Sequence, residues 1–134
     1  MVWILVLVTV AHVLAGVFWA GTTAALARSG AISLEILAFP QIGAAVVAIL
    51  LGASLWGFNH HAGADLGDHI LGIGALCALA ALAVQVTALG RVRALRVAPE
   101  DEKPALRRPL ALRQRIAAVL LSVTIAAMVS WRYF

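Results

Sequence analysis

Residues 3–27 have the sequence WILVLVTVAHVLAGVFWAGTTAALA and contain no charged side chain. A bilayer core of ~30 Å needs roughly 20 apolar residues at 1.5 Å rise each, so this segment is long enough to cross it as one helix. It lacks a basic n-region, and its apolar run is about twice the 7–15 residues of a signal-peptide core. We therefore expect a retained transmembrane helix.

The composition of the whole chain requires the same environment. Of its 134 residues, 63% are hydrophobic and 12% charged, and the mean hydropathy is +1.01. A soluble domain has about 45–50% apolar and about 25% charged residues. A chain this small cannot hide the surplus in its interior, so the surplus must face lipid. This argues against a soluble enzyme, a nucleic-acid-binding module and a disordered tail. The single cysteine, Cys77, excludes an intrachain disulfide.

Three further segments are long and apolar enough to span a bilayer. They cover residues 40–58, 69–90 and 110–131, and a basic connector, 91–109, joins the last two. Pro40 suits the first turn of a helix, and Gly90 suits a helix end. Helices satisfy their own backbone hydrogen bonds in lipid, and the sequence has no alternation of polar and apolar residues that would indicate strands. The sequence therefore predicts one all-α integral membrane domain, residues 1–134, built as a bundle of four transmembrane helices.

The basic residues predict how the bundle is oriented. Eight of the ten Lys and Arg lie in the connector or just after it: Arg91, Arg93, Arg96, Lys103, Arg107, Arg108, Arg113 and Arg115. The positive-inside rule places this connector in the cytoplasm and both termini outside. Trp3, Trp56 and Trp131 then share the outer interface, as an aromatic belt does. The basic residues are expected to set topology and contact anionic lipid rather than nucleic acid.

His12 is the main candidate for chemistry. It lies about 13 Å into the membrane from Trp3, and an intramembrane ionisable residue is by default a functional hypothesis. Gly16 and Ala20 follow on the same helical face, with Trp19 beside them. Small residues there either leave room for a flat ligand or let helices approach. In the second case His12 would be a structural residue, hydrogen-bonded across the bundle to a Ser or Thr.

The pattern His12-Val-Leu-Ala-Gly-Val-Phe-Trp19-Ala-Gly21 resembles the first helix of two small membrane protein families. These are the copper-resistance protein D family and the HemJ-type protoporphyrinogen oxidases. The resemblance covers about residues 3–28, and it implies that His12 holds haem. The HemJ-type proteins also carry a functional lysine in their third helix, whereas here Lys103 lies in the connector. This departure argues against oxidase activity and leaves haem or metal binding open.

A second polar group falls in the loop between the second and third helices. It contains His60, His61, Asp65, Asp68 and His69. Imidazoles and carboxylates are ligands of Zn²⁺ and Cu²⁺, so this outer cluster is a candidate copper or zinc site. The alternative is that Asp65 and Asp68 cap the third helix and favour its dipole.

We therefore predict a small protein of the bilayer, in the inner (plasma) membrane of a bacterium, that binds haem b or a metal and serves redox or haem metabolism. His12 would be the axial ligand, Gly16 and Trp19 would shape the pocket, and Cys77 is a candidate sixth ligand. Two alternatives stay open: copper handling by the outer cluster, and an accessory subunit that docks in a larger membrane complex or a homo-oligomer. The sequence assigns no catalytic residue, because hydrolase, P-loop and Rossmann motifs are not found in it.

Overall fold

The computed structural model describes residues 1–59, without the side chain of Asn59, and residues 65–134. Within these residues the protein is all helical, as the sequence predicts. The helices are α1 (Val2–Arg28), α2 (Leu34–Asn59), α3 (Leu66–Val86), α4 (Leu89–Val97) and α5 (Lys103–Ser130), followed by a 3-10 turn, Trp131–Tyr133. Four helical stretches are long and apolar enough to cross a membrane.

Two helices begin six or seven residues earlier than the sequence predicts. We expected the second and fourth spans to start at residues 40 and 110, but α2 begins at Leu34 and α5 at Lys103. Pro40 and Pro109 therefore lie inside helices rather than before them. Each proline leaves one carbonyl of the preceding turn without its helical partner. The extra turns are kept because they bury Leu34, Ala38 and part of Leu106 in an apolar cluster at this end of the bundle.

The predicted polar connector, residues 91–109, is mostly helical. The third span ends at Val86 rather than at Gly90, and after Thr87 and Ala88 the chain continues as α4. Val92 and Leu95 are buried, while the arginines of this helix, Arg91, Arg93 and Arg96, are exposed. Val92 and Leu95 are three residues apart, a helical spacing that is hard to recognise in the sequence because the segment contains so many basic residues. Only residues 98–102 of the connector are non-helical.

The four long helices form an antiparallel ring. In this ring α1 packs along α2 and α5, α3 packs along α5, and α2 touches α3 more sparsely. Small residues permit the closest contacts: a Cβ built on Gly74 of α3 would lie 2.8 Å from the Cβ of Ala127 on α5. The long apolar side chains point the other way, and Leu7, Leu14 and Val17 of α1 are each more than 60% exposed. The outer surface is therefore the apolar one, which fits a lipid environment.

The turn between α1 and α2 is held in an uncommon backbone conformation. Gly30, Ala31 and Ser33 have φ of +70°, +65° and +67°. Gly30 suits the left-handed conformation that ends a helix, and the N–H of Ala31 closes this end by donating to Leu26 O at 2.8 Å. Ala31 and Ser33 carry steric strain of roughly 1–2 kcal/mol each. Burial of Ala31 in the cluster with Leu26 offsets part of that cost.

Arginines tie the elements together at what we call the basic end, formed by residues 29–33, α4 and the first turns of α5. Arg115 donates to the carbonyl of Ala27 near the end of α1, at 3.3 Å. Arg113 donates to the hydroxyl of Thr87 after α3, at 2.8 Å. Both guanidinium groups lie at the C-terminal end of a helix, where a positive charge interacts favourably with the helix dipole. Several of the basic residues whose number predicts the topology therefore also form hydrogen bonds within the protein.

Candidate functional site

His12 contacts the backbone of the neighbouring helix. Its Nδ1 lies 2.8 Å from the carbonyl oxygen of Ala48 on α2. A carbonyl oxygen can only accept, so Nδ1 carries the hydrogen and donates. In the neutral ring Nε2 then keeps its lone pair, and within the described residues it makes no hydrogen bond. The contact selects one tautomer and leaves the other nitrogen available to a ligand.

Gly52 makes this contact possible. A Cβ built on Gly52 would lie 2.9 Å from Cε1 and 3.3 Å from Nδ1 of His12. Any side chain at this position would displace the imidazole from Ala48. The small residue that allows close approach is thus on α2, not on α1. Gly16, which the sequence offered for this role, has no atom within 4 Å of a built Cβ. It leaves open space one helical turn from His12.

Trp19 is buried against α3. It lies on the same face of α1 as His12, about 10 Å further along the axis, and only 3% of its surface is exposed. Its indole N–H donates to Oε1 of Gln85 on α3 at 2.8 Å. The indole of Trp19 therefore makes a contact across the bundle, and its role in shaping a pocket stays a prediction.

Below Trp19, a buried polar network joins all four long helices. The amide of Gln85 donates to the hydroxyl of Thr23 at 3.0 Å, and the amide of Gln41 donates to the same hydroxyl at 2.8 Å. Gln41 and Gln114 donate to each other's amide oxygens, both at 3.3 Å. Thr23 in turn donates to Trp19 O at 2.7 Å. Each of these side chains is at most 4% exposed, and the network is internally satisfied.

Gln114 is the member of this network that is hardest to recognise in the sequence. Gln114 lies between two arginines, so it reads as part of a solvated basic stretch. The available signal was the helical spacing of Gln114 from Ala117 and Leu121. Ala117, Leu121 and Thr124 recur at intervals of three or four residues, and all are buried. This places Gln114 on the inward face of α5.

Cys77 lies across the bundle from His12. It is a free, partly buried thiol on α3, and α3 packs on α5 and α2 rather than along α1. Within the described residues it shares no hydrogen bond with His12. The role of Cys77 as a sixth ligand stays a prediction.

The described part of the outer cluster forms a helix cap. Asp65 is the N-cap of α3, and its Oδ1 accepts from the N–H of Asp68 at 2.9 Å. The carboxylate of Asp68 accepts from the N–H of Asp65 at 3.4 Å, which completes a capping box. Nδ1 of His69 lies 2.7 Å from the carbonyl oxygen of Asp65 and donates to it.

The capping interpretation of Asp65 and Asp68 is therefore confirmed. Among residues 1–59 and 65–134, no group of three His, Cys, Asp or Glu side chains is placed to hold a metal ion. The predicted ligands His60 and His61 lie outside the described residues, and a metal at this end would need donors from them. That part of the metal hypothesis stays a prediction.

Replacing Asp65 by alanine should destabilise the protein by about 1 kcal/mol, because a helix N-cap is lost. Asp101→Ala is the matched control, since it removes the same charge from an exposed residue outside any helix. Both variants can be compared by unfolding in detergent. If Asp65→Ala costs no more than Asp101→Ala, the cap does not contribute to stability.

The comparisons with known proteins return no relative. No protein-family model matches the chain, and no characterised protein or solved structure matches it either.

Proposed function

We propose that this is a membrane protein that binds haem, with Nε2 of His12 as an axial ligand of the iron. The observation that carries the proposal is the hydrogen bond from Nδ1 to Ala48 O, at 2.8 Å. Histidines that ligate metals almost always donate their other ring N–H to a carbonyl, a carboxylate or water. Such a bond fixes the tautomer and the ring orientation of the ligating imidazole.

The surroundings of His12 fit a flat macrocycle. The imidazole is partly exposed, and Gly16 leaves open space on the same face of α1. Apolar side chains surround this surface, and Val13 and Val17 are both more than half exposed. A bound haem would supply an iron that exchanges single electrons, which is the basis for proposing a role in redox or haem metabolism. The chain's own contribution is to orient His12 and to keep the surface at Gly16 clear.

The resemblance of residues 3–28 to the first helix of HemJ-type proteins supports the same residue. It supports His12 alone, because the lysine of that family's third helix has no counterpart here and Trp19 is committed to Gln85. We therefore propose haem binding and not protoporphyrinogen oxidation.

The first test is the absorption spectrum of the protein purified with added haem. A Soret band that copurifies with the protein in stoichiometric amount is the expected result. If the protein neither carries nor takes up haem, the proposal is wrong.

Metal analysis of the same sample decides the second candidate function, a copper or zinc site at the outer end. That candidate is favoured by His69, whose Nδ1 bond to Asp65 O leaves Nε2 directed away from the cap. Protein with neither cofactor points to an accessory subunit.

A pair of glycine variants tests where the macrocycle lies. Gly16→Leu fills the open space beside His12 and should weaken haem binding at least tenfold, a loss of about 1.4 kcal/mol. Gly21→Leu is the control, because Gly21 is also open, with no atom within 4 Å of a built Cβ, but lies more than two turns from His12. Haem titrations monitored at the Soret band measure both. Equal affinities for the two variants would remove the surface at Gly16 from the proposed site.

A further inference from the structure

A groove at the basic end is lined by cationic and apolar side chains together. It lies between the α1–α2 turn and the first turns of α5. Arg107, Arg108 and Arg115 line it, and so do Ile32 and Leu112. Among the described residues, no carboxylate lines this groove. It shares no residue with the surface around His12, so a ligand bound in it would be independent of the proposed haem site.

The arginines of the groove keep donors for a ligand. Arg108 makes no hydrogen bond or ion pair within the described residues. Arg115 uses only Nε, which donates to Ala27 O at 3.3 Å, so both of its terminal nitrogens stay available. Arg107 forms an ion pair with Glu35 at 2.9 Å and its Nε is buried, so it offers a ligand less than the other two arginines do. Glu35 neutralises one of the three cations, and the groove keeps a net positive charge.

Two of the three guanidinium groups are already oriented. Arg115 is held by the end of α1, and Arg107 is held by Glu35. Less rotamer entropy is then lost when they bind an anion. Gly30 also lines the groove, and a Cβ built on it would have no atom within 4 Å. The groove is therefore preformed rather than assembled by a ligand.

The apolar side chains identify the kind of anion. Ile32 is 59% exposed and Leu112 is 57% exposed, and both adjoin the arginines. A soluble phosphate ester would leave these side chains uncovered, whereas a phospholipid carries acyl chains next to its phosphate. Guanidinium groups bind phosphate oxygens in a bidentate manner. Basic pockets between transmembrane helices are a known setting for anionic headgroups. We propose that this groove binds the phosphate headgroup of an anionic phospholipid.

Phosphatidylglycerol titrated into the protein in a neutral detergent tests this proposal, with lipid retention measured by native mass spectrometry. Arg108→Gln should weaken retention about fivefold, because each arginine near an anionic headgroup contributes about that factor. Arg91→Gln is the matched control, since Arg91 is also exposed, at the same end, and without a hydrogen bond in the described residues. At about 0.15 M salt its effect should stay below about twofold, because distant surface charges are screened.

Three outcomes would overturn the proposal. Equal loss in Arg108→Gln and Arg91→Gln would mean that the lipid responds to net charge and not to the groove. Equal retention of phosphatidylcholine would mean that the headgroup charge is not recognised. If inorganic phosphate displaces the lipid at the same concentrations at which the lipid itself binds, the ligand of the groove is a soluble phosphate. Arg108→Lys is the charge-preserving control. It keeps a cation at this position and should retain more lipid than Arg108→Gln.

Discussion

His12→Ala protein should purify without a Soret band, even when haem is supplied, and should still fold. Removing the axial imidazole removes the donor atom of the proposed site, so the expected loss of bound haem is complete. The fold should survive because alanine is a good helix former and suits helix contacts in membranes. The lost hydrogen bond to Ala48 O should cost only about 0.6 kcal/mol, the average for interhelical polar contacts in membranes. Circular dichroism and thermal unfolding in detergent check the fold.

Two further experiments separate ligation from a structural role of His12. Added imidazole should restore the Soret band of His12→Ala, because it replaces the ligand in the vacated space. His12→Gln keeps an amide that can donate to Ala48 O but is a poor iron ligand, so it should stay colourless. If His12→Gln retains haem as the wild type does, His12 does not ligate iron. Its bond to α2 would then be a packing contact beside Gly52.

The spanning helices could be predicted from the sequence because hydrophobic length is a property of many residues together. Their ends could not, because each end depends on a few contacts made by distant parts of the chain. Pro40 is a helix-start signal, but Leu34 and Ala38 gain burial against Leu26 and Val92, and α2 therefore begins before the proline. The same competition extends α5 upstream of Pro109.

The candidate site could be predicted in part for a similar reason. An ionisable side chain deep in an apolar helix is rare, so His12 stands out in the sequence. Its partner is a backbone carbonyl, and every residue of α2 has one, so no pattern distinguishes Ala48. Gly52 is one glycine among several on the same helix, and only the structure shows that the imidazole rests against it. At the start of α3, the acidic residues fit both a metal site and a helix cap, and only their hydrogen bonds distinguish the two.

The buried glutamines are hydrogen-bonded to one another across the bundle, and their geometry predicts a large effect on stability. Gln114→Leu should lower the free energy of unfolding by about 1–3 kcal/mol, the cost of leaving a buried polar group without its partner. Two groups lose a partner: Oε1 of Gln41, which accepts from Gln114 at 3.3 Å and from no other donor in the described residues, and Nε2 of Gln85, which donates to Gln114 Oε1 at 3.4 Å. Ser122→Ala on the same helix is the control, because that hydroxyl bonds only to Ala118 O, within α5.

The double variant Gln41→Leu/Gln114→Leu should be more stable than Gln114→Leu alone. The two amides donate to each other, so removing both leaves neither of them unpaired, and replacing both partners by apolar groups of similar shape is close to neutral. Thr23 still accepts from Gln85 at 3.0 Å and donates to Trp19 O in that background. Denaturant unfolding of the wild type, both single variants and the double variant gives the coupling energy of the pair. Additive losses would show that the glutamines act independently. Recovery in the double variant would show that the unpaired amide, and not lost packing, causes the cost.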